Sequence, residues 1–185
     1  MKMKLLANLA IGALILGISG PVSATPFQWT VAGGGNGHWY EFVSSIVTWD
    51  TANANAQAST YNGMPGHLAT ITSAEENDWV FSNVGLAGIS IWLGATDQSH
   101  EGTWTWVTDE TWNYTNWDNL YGEPNGGVGA NYLAFNWNIA SRWNDESGSA
   151  RYIVEYQTAS VPEPATMLLL GTGLACLVGT RRKKK

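Results

Sequence analysis

Two short polar clusters, Glu123-Pro124-Asn125 and Trp143-Asn144-Asp145, stand on either side of the apolar run Tyr132-Leu133-Ala134-Phe135. No other feature of the chain constrains it as much. Glu123, Asn125, Asn144 and Asp145 all carry side-chain oxygens. A strand running between the clusters brings two carboxylates and two amides to one place. Such a set suits a hard cation, since Ca²⁺ takes six to eight oxygen ligands at about 2.3–2.6 Å. Neither cysteine nor a nearby histidine is offered to a softer ion such as zinc.

Either tripeptide alone recurs by chance. In this order and at this separation they resemble the C-type lectin-like domain family. The resemblance implies an α+β fold: two helices with small antiparallel sheets and a long calcium-binding loop. In that family the Glu-Pro-Asn loop and the Trp-Asn-Asp strand hold one Ca²⁺ ion. Two neighbouring sugar hydroxyls complete its shell, donating hydrogen bonds to the same carboxylates and accepting them from the amides. The family's proline is usually cis, and Glu-Pro-Asn goes with mannose-type sugars. The position eight residues after the glutamate is usually a further glutamate; a gapless count places Asn131 there. The resemblance therefore implies Glu123, Asn125, Asn131, Asn144 and Asp145 as both calcium ligands and carbohydrate contacts. Only Glu123 and Asp145 among them are ionised, which places calcium affinity in the weak range of extracellular modules, about 10⁻⁴–10⁻³ M.

An auxiliary calcium site of the family falls on Asp97 and Glu101, after the strand motif Ile91-Trp92-Leu93-Gly94-Ala95. Its remaining positions are Gly126 and Tyr132, without carboxylates. Asp97 and Glu101 are expected as half a site, surface acids rather than ligands.

Both ends of the 185-residue chain read as appendages. Lys2 and Lys4 precede an apolar run from Leu5 to Ile18, and Val22-Ser23-Ala24 offers a small-residue cleavage site. That pattern is a secretory signal peptide over residues 1–24, removed by signal peptidase. At the other end Val161-Pro162-Glu163-Pro164 leads into an apolar stretch from Ala165 to Thr180 and then Arg181-Arg182-Lys183-Lys184-Lys185. The stretch is marginal for spanning a hydrocarbon core of about 30 Å, and the cations favour a cytoplasmic end. This tail, 158–185, resembles the PEP-CTERM sorting signal of Gram-negative, exopolysaccharide-producing bacteria. The resemblance implies recognition by an exosortase, transient anchoring in the inner membrane, and a cell-surface or extracellular-matrix destination. Residues 25–157 are then the lectin-like domain.

Between the appendages only Arg142 and Arg151 oppose fourteen acids, a formal charge of −12. Such a surface repels phosphate backbones, which argues against a nucleic-acid partner. The single cysteine, Cys176, lies in the C-terminal apolar run, so the domain is disulfide-free. By the resemblance, Ala56, Leu133, Gly148 and Val154 occupy the usual cysteine positions. Eleven tryptophans, all between Trp29 and Trp143, supply large apolar areas in their place.

Local signals set out the rest. Phe27–Trp29 and Trp39–Phe42 read as early strands around the Gly33-Gly34-Gly35 turn. The alanine-rich run to Ala58 reads as a helix capped by Thr48. His67–Ile71 alternates as a strand, and Ser73-x-x-Glu76 is a capping box for a helix reaching about Val84. Glu75 and Glu76 are accordingly structural. Trp104 and Trp106 alternate on one strand, and Arg151–Tyr156 closes the fold beside the N-terminal strands.

Glu123 and Asp145 also form a pair of the kind glycosidases use. A bound calcium ion would keep both deprotonated and remove the proton donor. The histidines His38, His67 and His100 lie in no nucleophile motif. The chain is therefore expected to bind rather than catalyse: a calcium-dependent carbohydrate-binding protein, its partners glycans or exopolysaccharide. The alternatives are a structural or adhesive matrix protein with a lectin-like fold that does not bind sugar, and a glycoside hydrolase.

Overall fold

Thr48 and Ser73 begin the two helices, as their sequence contexts predict. In the computed structural model, which describes residues 24–84, 88–135 and 139–157, α1 spans Trp49–Ala58 and α2 spans Ala74–Asn83. The Thr48 side chain accepts from the Thr51 amide, and Ser73 Oγ accepts from the Glu76 amide at 3.1 Å. Each satisfies one of the orphan donors of a first helical turn. The capping box is not reciprocal. Glu76 Oε2 accepts from the Thr72 amide at 2.7 Å, one residue before the cap. On α1 the buried residues are Trp49, Ala52 and Ala56, a helical stripe of mostly small side chains that lets the helix lie close to the sheet.

Strands β1 (Phe27–Gln28) and β2 (Trp39–Val47) open the chain, and β3 (Thr60–Tyr61) and β4 (Met64–Leu68) follow α1. After α2 come β5 (Ile91–Thr96), β6 (Thr105–Trp106), β7 (Tyr132–Phe135), β8 (Trp143–Glu146) and β9 (Ala150–Tyr156). Hydrogen bonds run in the order β1-β2-β9-β5-β7-β8, with β4 also on β9 and β6 on β5. The antiparallel ladders expected from sequence are joined into one network by a parallel pairing, Ile91 opposite Arg151 and Trp92 opposite Tyr152. β9 is thus central, and it closes against β2 as expected.

Side-chain alternation along these strands builds two cores. Ile91, Leu93, Leu133, Phe135 and Ile153 join Val80 of α2 and the tryptophans Trp104, Trp106 and Trp143 on one face. Trp92, Ala134, Tyr152, Val154 and Tyr156 meet Trp49, Ala52 and Ala56 of α1 on the other. Two indoles are tied down across the layers. Trp49 Nε1 donates to the Leu93 carbonyl at 2.8 Å, and Trp92 Nε1 to the Val47 carbonyl at 2.9 Å.

Of the four positions where the resemblance places cysteines, Ala56 and Val154 pack in the same buried cluster. Gly66 lies between them; a Cβ there would stand 2.7 Å from the Ala56 carbonyl oxygen and 2.9 Å from Val154 Cγ1. Apolar close packing through a glycine joins these two positions. Of the other two, Leu133 is fully buried and Gly148 has a left-handed φ of 102°. Residues 1–23 of the expected signal peptide and the tail 158–185 with Cys176 lie outside the described residues. Among those described, no helix is long and apolar enough to cross a membrane.

Candidate functional site

β8 supplies the fixed side of the site. Asn144 and Asp145 stand opposite Ala134 and Leu133 of β7, so the ladder sets their height and direction. The Asp145 carboxylate then reaches the Glu-Pro-Asn loop. Its Oδ1 accepts from the Asn125 amide at 2.9 Å and its Oδ2 from the Gly126 amide at 2.7 Å. Both bonds are charge-assisted, which makes one side chain the clasp between loop and strand. A Cβ on Gly126 would meet Ala130 Cβ at 2.2 Å and Asp145 Oδ2 at 3.0 Å, so a glycine is needed at that point.

The loop's other end is held by backbone. The Glu123 amide donates to the Asp118 carbonyl at 3.1 Å, and the Asp118 amide to the Trp143 carbonyl at 2.8 Å. Trp117 bridges Trp143 in a short parallel pairing. The Glu123–Pro124 peptide is cis, as the resemblance implies.

Three of the five expected residues, Glu123, Asn125 and Asp145, are thus brought together, and Asn144 precedes Asp145 on β8. Their amide nitrogens are already used. Asn125 Nδ2 donates to the Tyr121 carbonyl at 3.1 Å, and Asn144 Nδ2 to Glu146 Oε1 at 2.6 Å. Each amide is thereby oriented with its oxygen free to serve as an acceptor. Glu123 Oε2 and Asn144 Oδ1 are buried with no hydrogen-bond partner. An unpartnered buried oxygen is costly and calls for an explanation such as an ion or water. Burial first, then contact with Asp145, pushes the Glu123 carboxyl up to about 7, while the Asn125 amide pulls it down. Two neighbouring carboxylates, with one unsatisfied oxygen on Glu123 and another on Asn144, the residue before Asp145, suit a hard cation such as Ca²⁺. Among the described residues no group of three His, Cys, Asp or Glu side chains is gathered, so any metal here leans on amide oxygens.

Asn131 stands differently. Its carbonyl accepts from Thr96 Oγ1 at 2.7 Å and from the Asp97 amide at 3.2 Å, which ties its backbone to the end of β5. No hydrogen bond among the described residues joins its side chain to the other four.

Asp97 corrects an expectation. It is not a surface acid: only 2% of it is exposed. Its Oδ2 accepts from the Gly102 amide at 2.9 Å, closing the turn after β5, and its Oδ1 is buried without a partner. A short carboxylate that caps its own turn is drawn inward by the amides it satisfies. Glu101 is exposed as expected, and desolvation followed by the Asp97 and Asp145 charges raises its pKa. These three acids share one rim.

Two supporting residues had a weak signal in the sequence. Glu146 lies two residues after Asn144, hence on the same face of β8, and orients the Asn144 amide while accepting from Ser90 Oγ at 2.6 Å. Asp118 is 2% exposed, with Oδ1 accepting from the Leu120 amide and Oδ2 unpartnered. The tryptophans near the loop pack inward rather than towards a ligand. Trp106 and Trp112 lie 4.7 Å apart at their ring centroids, and Trp104 and Trp117 5.0 Å. The exposed apolar side chains on the loop are Leu120, Tyr121 and Val128.

Known proteins are similar to this chain. Halomucin of Haloquadratum walsbyi is 34% identical over 135 residues, 65% of this chain but 1% of halomucin. The alpha-N-acetylgalactosamine-specific lectin of Patiria pectinifera is 30% identical over 115 residues, covering 60% of this chain and 67% of that lectin. The crystal structure of the C-type lectin CEL-I from Cucumaria echinata superposes with a TM-score of 0.57 at 26% identity, covering 65% of this chain and 90% of CEL-I. Residues 160–183 match the PEP-CTERM protein-sorting motif, which marks an exported protein sorted by a C-terminal signal. Residues 45–154 match the lectin C-type domain, and this chain belongs to that family.

Proposed function

We propose that this exported protein is a calcium-dependent carbohydrate-binding protein that takes a mannose-type sugar at the loop 123–145. The observation that carries the reading is the pair of buried, unpartnered oxygens, Glu123 Oε2 and Asn144 Oδ1, beside the Asp145 clasp. Glu123, Asn125, Asn144 and Asp145 would hold the ion, with Asn131 as a neutral fifth residue. A bound Ca²⁺ ion supplies open coordination positions for two vicinal sugar hydroxyls. The chain's own part is to present acceptors for those hydroxyls, and the Asp145 clasp keeps the loop in register with β8. With two ionised ligands, affinity for calcium lies at about 10⁻⁴–10⁻³ M. Binding to a single sugar is correspondingly weak, and retention on a polymer depends on many copies.

The natural partners are glycans or exopolysaccharide at the cell surface or in the extracellular matrix, reached through signal peptidase and an exosortase-type enzyme. A glycoside hydrolase is disfavoured because a calcium ion held by Glu123 and Asp145 keeps both deprotonated and removes the proton donor. A matrix protein that keeps the fold without binding sugar is favoured only by Asn131, a neutral residue tied through its backbone.

Retention on immobilised mannan in millimolar Ca²⁺, with elution by EDTA and by free mannose, tests the proposal. Failure of a folded protein to bind mannan in calcium sinks it in favour of the matrix role. Glu123→Ala must abolish the retention.

A further inference from the structure

On the opposite face of β9 from the Glu155 carboxylate, a cleft of about 520 Å³ opens between α1 and the β2–β9 ladder. It shares no residue with the loop site. Alternation on β2 sends Tyr40 into the core under α2 and Glu41 towards α1, where Val154 stands opposite it. Glu41 is 8% exposed and accepts from the Tyr156 hydroxyl. No lysine, arginine or histidine pairs with it among the described residues, whose ion pairs both go to Glu155. A carboxylate buried this far normally has a cationic partner.

The rest of the cleft has a consistent character. Tyr152 and Tyr156 line its floor and Asn55 and Ser59 its helical wall. Burial raises both phenols, Tyr156 to about 12, so both stay neutral. Their ring faces, like the carboxylate, attract positive charge. Ser59 Oγ donates to the Ala56 carbonyl at 2.6 Å and lies beside the Tyr156 hydroxyl. Asn55, beside the Tyr152 hydroxyl, adds an amide with both donor and acceptor groups, which a ligand shares with the tyrosine. The volume lies within the range of small-molecule sites, about 300–1,000 Å³.

We propose that this cleft is a second, calcium-independent binding site for a small polyhydroxylated ammonium compound, of the class of free amino sugars. The ammonium group pairs with Glu41 against the tyrosine faces, and hydroxyls meet Asn55 and Ser59. Pairing supplies the cation that Glu41 lacks within the fold.

Calorimetric titration of the full chain with glucosamine, N-acetylglucosamine and glucose, all in excess EDTA to silence the loop, tests this. Glucosamine binds with a dissociation constant of about 1 mM, a modest free energy suited to a small open cleft. The two neutral sugars bind at least tenfold more weakly. Glu41→Gln keeps an oxygen for the Tyr156 hydroxyl but removes the charge, and it weakens glucosamine binding tenfold or more. Asn55→Leu, on the helix surface, is the second variant and lowers affinity several-fold without touching the ladder. Equal affinity for glucosamine and glucose overturns the proposal. So does an absence of glucosamine binding, or an unchanged affinity in folded Glu41→Gln.

Discussion

Two pairs of acidic side chains sit in this domain, and they are built in opposite ways. Glu76 and Glu155 are 3% and 1% exposed and lie under α2, where every oxygen is accounted for. Tyr40 Oη donates to Glu76 Oε1 at 2.6 Å and Asn36 Nδ2 to the same atom at 3.0 Å. The Thr70 amide donates to Glu155 Oε2 at 2.9 Å, and His38 Nδ1 lies 2.5 Å from Glu155 Oε1. Glu123 and Asp145 are also drawn together, but Glu123 Oε2 and the neighbouring Asn144 Oδ1 are left without partners. A carboxylate whose lone pairs are all met within the fold serves the fold. One with a buried oxygen left unmet keeps an acceptor that the fold itself does not use.

Four experiments break or sharpen that contrast. Glu123→Ala has the largest effect: mannan retention in calcium falls a hundredfold or more, while unfolding in denaturant shifts by no more than about 0.5 kcal/mol. Glu76→Ala reverses the pattern. It strands the Tyr40 hydroxyl and the Thr72 amide and costs about 3 kcal/mol in chemical unfolding, with mannan binding kept in the folded fraction. If the two variants behave alike, the distinction between the pairs fails.

Calcium comes third. At a concentration tenfold above its dissociation constant it stabilises the protein by about 1.4 kcal/mol, and EDTA or Glu123→Ala removes the gain. An equal gain in Glu123→Ala would place the stabilising ion elsewhere.

The smallest effect is a pH slope from the Glu76–Glu155 side. Burial, then the Glu155 charge, raises the Glu76 carboxyl above its ordinary value of 4.5. For His38, burial works downwards but contact with Glu155 prevails and raises it above 6.5. Both groups hold protons in the folded state that the unfolded chain releases. Their stabilisation is complete below the unfolded values and is lost as pH rises through the folded ones. Thermal stability in EDTA therefore declines by this contribution as pH rises past the ordinary glutamate value and again past the ordinary histidine value. Glu76→Gln flattens the part that begins near the ordinary glutamate value. A slope unchanged in that variant would remove Glu76 from the account.

Much of this was legible along the chain because it is local. Thr48 and Ser73 cap helices through side chains that reach only three residues ahead. The inward tryptophans Trp104 and Trp106 follow from strand alternation. The resemblance carried by Glu123-Pro124-Asn125 and Trp143-Asn144-Asp145 pointed to the loop and the strand that Asp145 joins. Asp97 was misplaced because its burial comes from a turn that folds Gly102 back onto it. The parts played by Glu146 and Asp118 were missed for a related reason: a carboxylate's role depends on which donors the fold brings to it.

The sequence by itself determined the kinds of groups available: acids and amides without cysteine in the domain, small residues on one helix face, and a C-terminal sorting motif. Those follow from covalent chemistry and short-range periodicity. Which oxygens were left unmet was decided only by tertiary structure. Glu76 and Glu123 are the same residue type, each in a short polar motif. The hydroxyls of Tyr40 and Thr72 reach the first, while the loop leaves an oxygen of the second bare. Hydrogen-bond satisfaction is a property of neighbours, and the neighbours here come from strands and helices far apart in the chain.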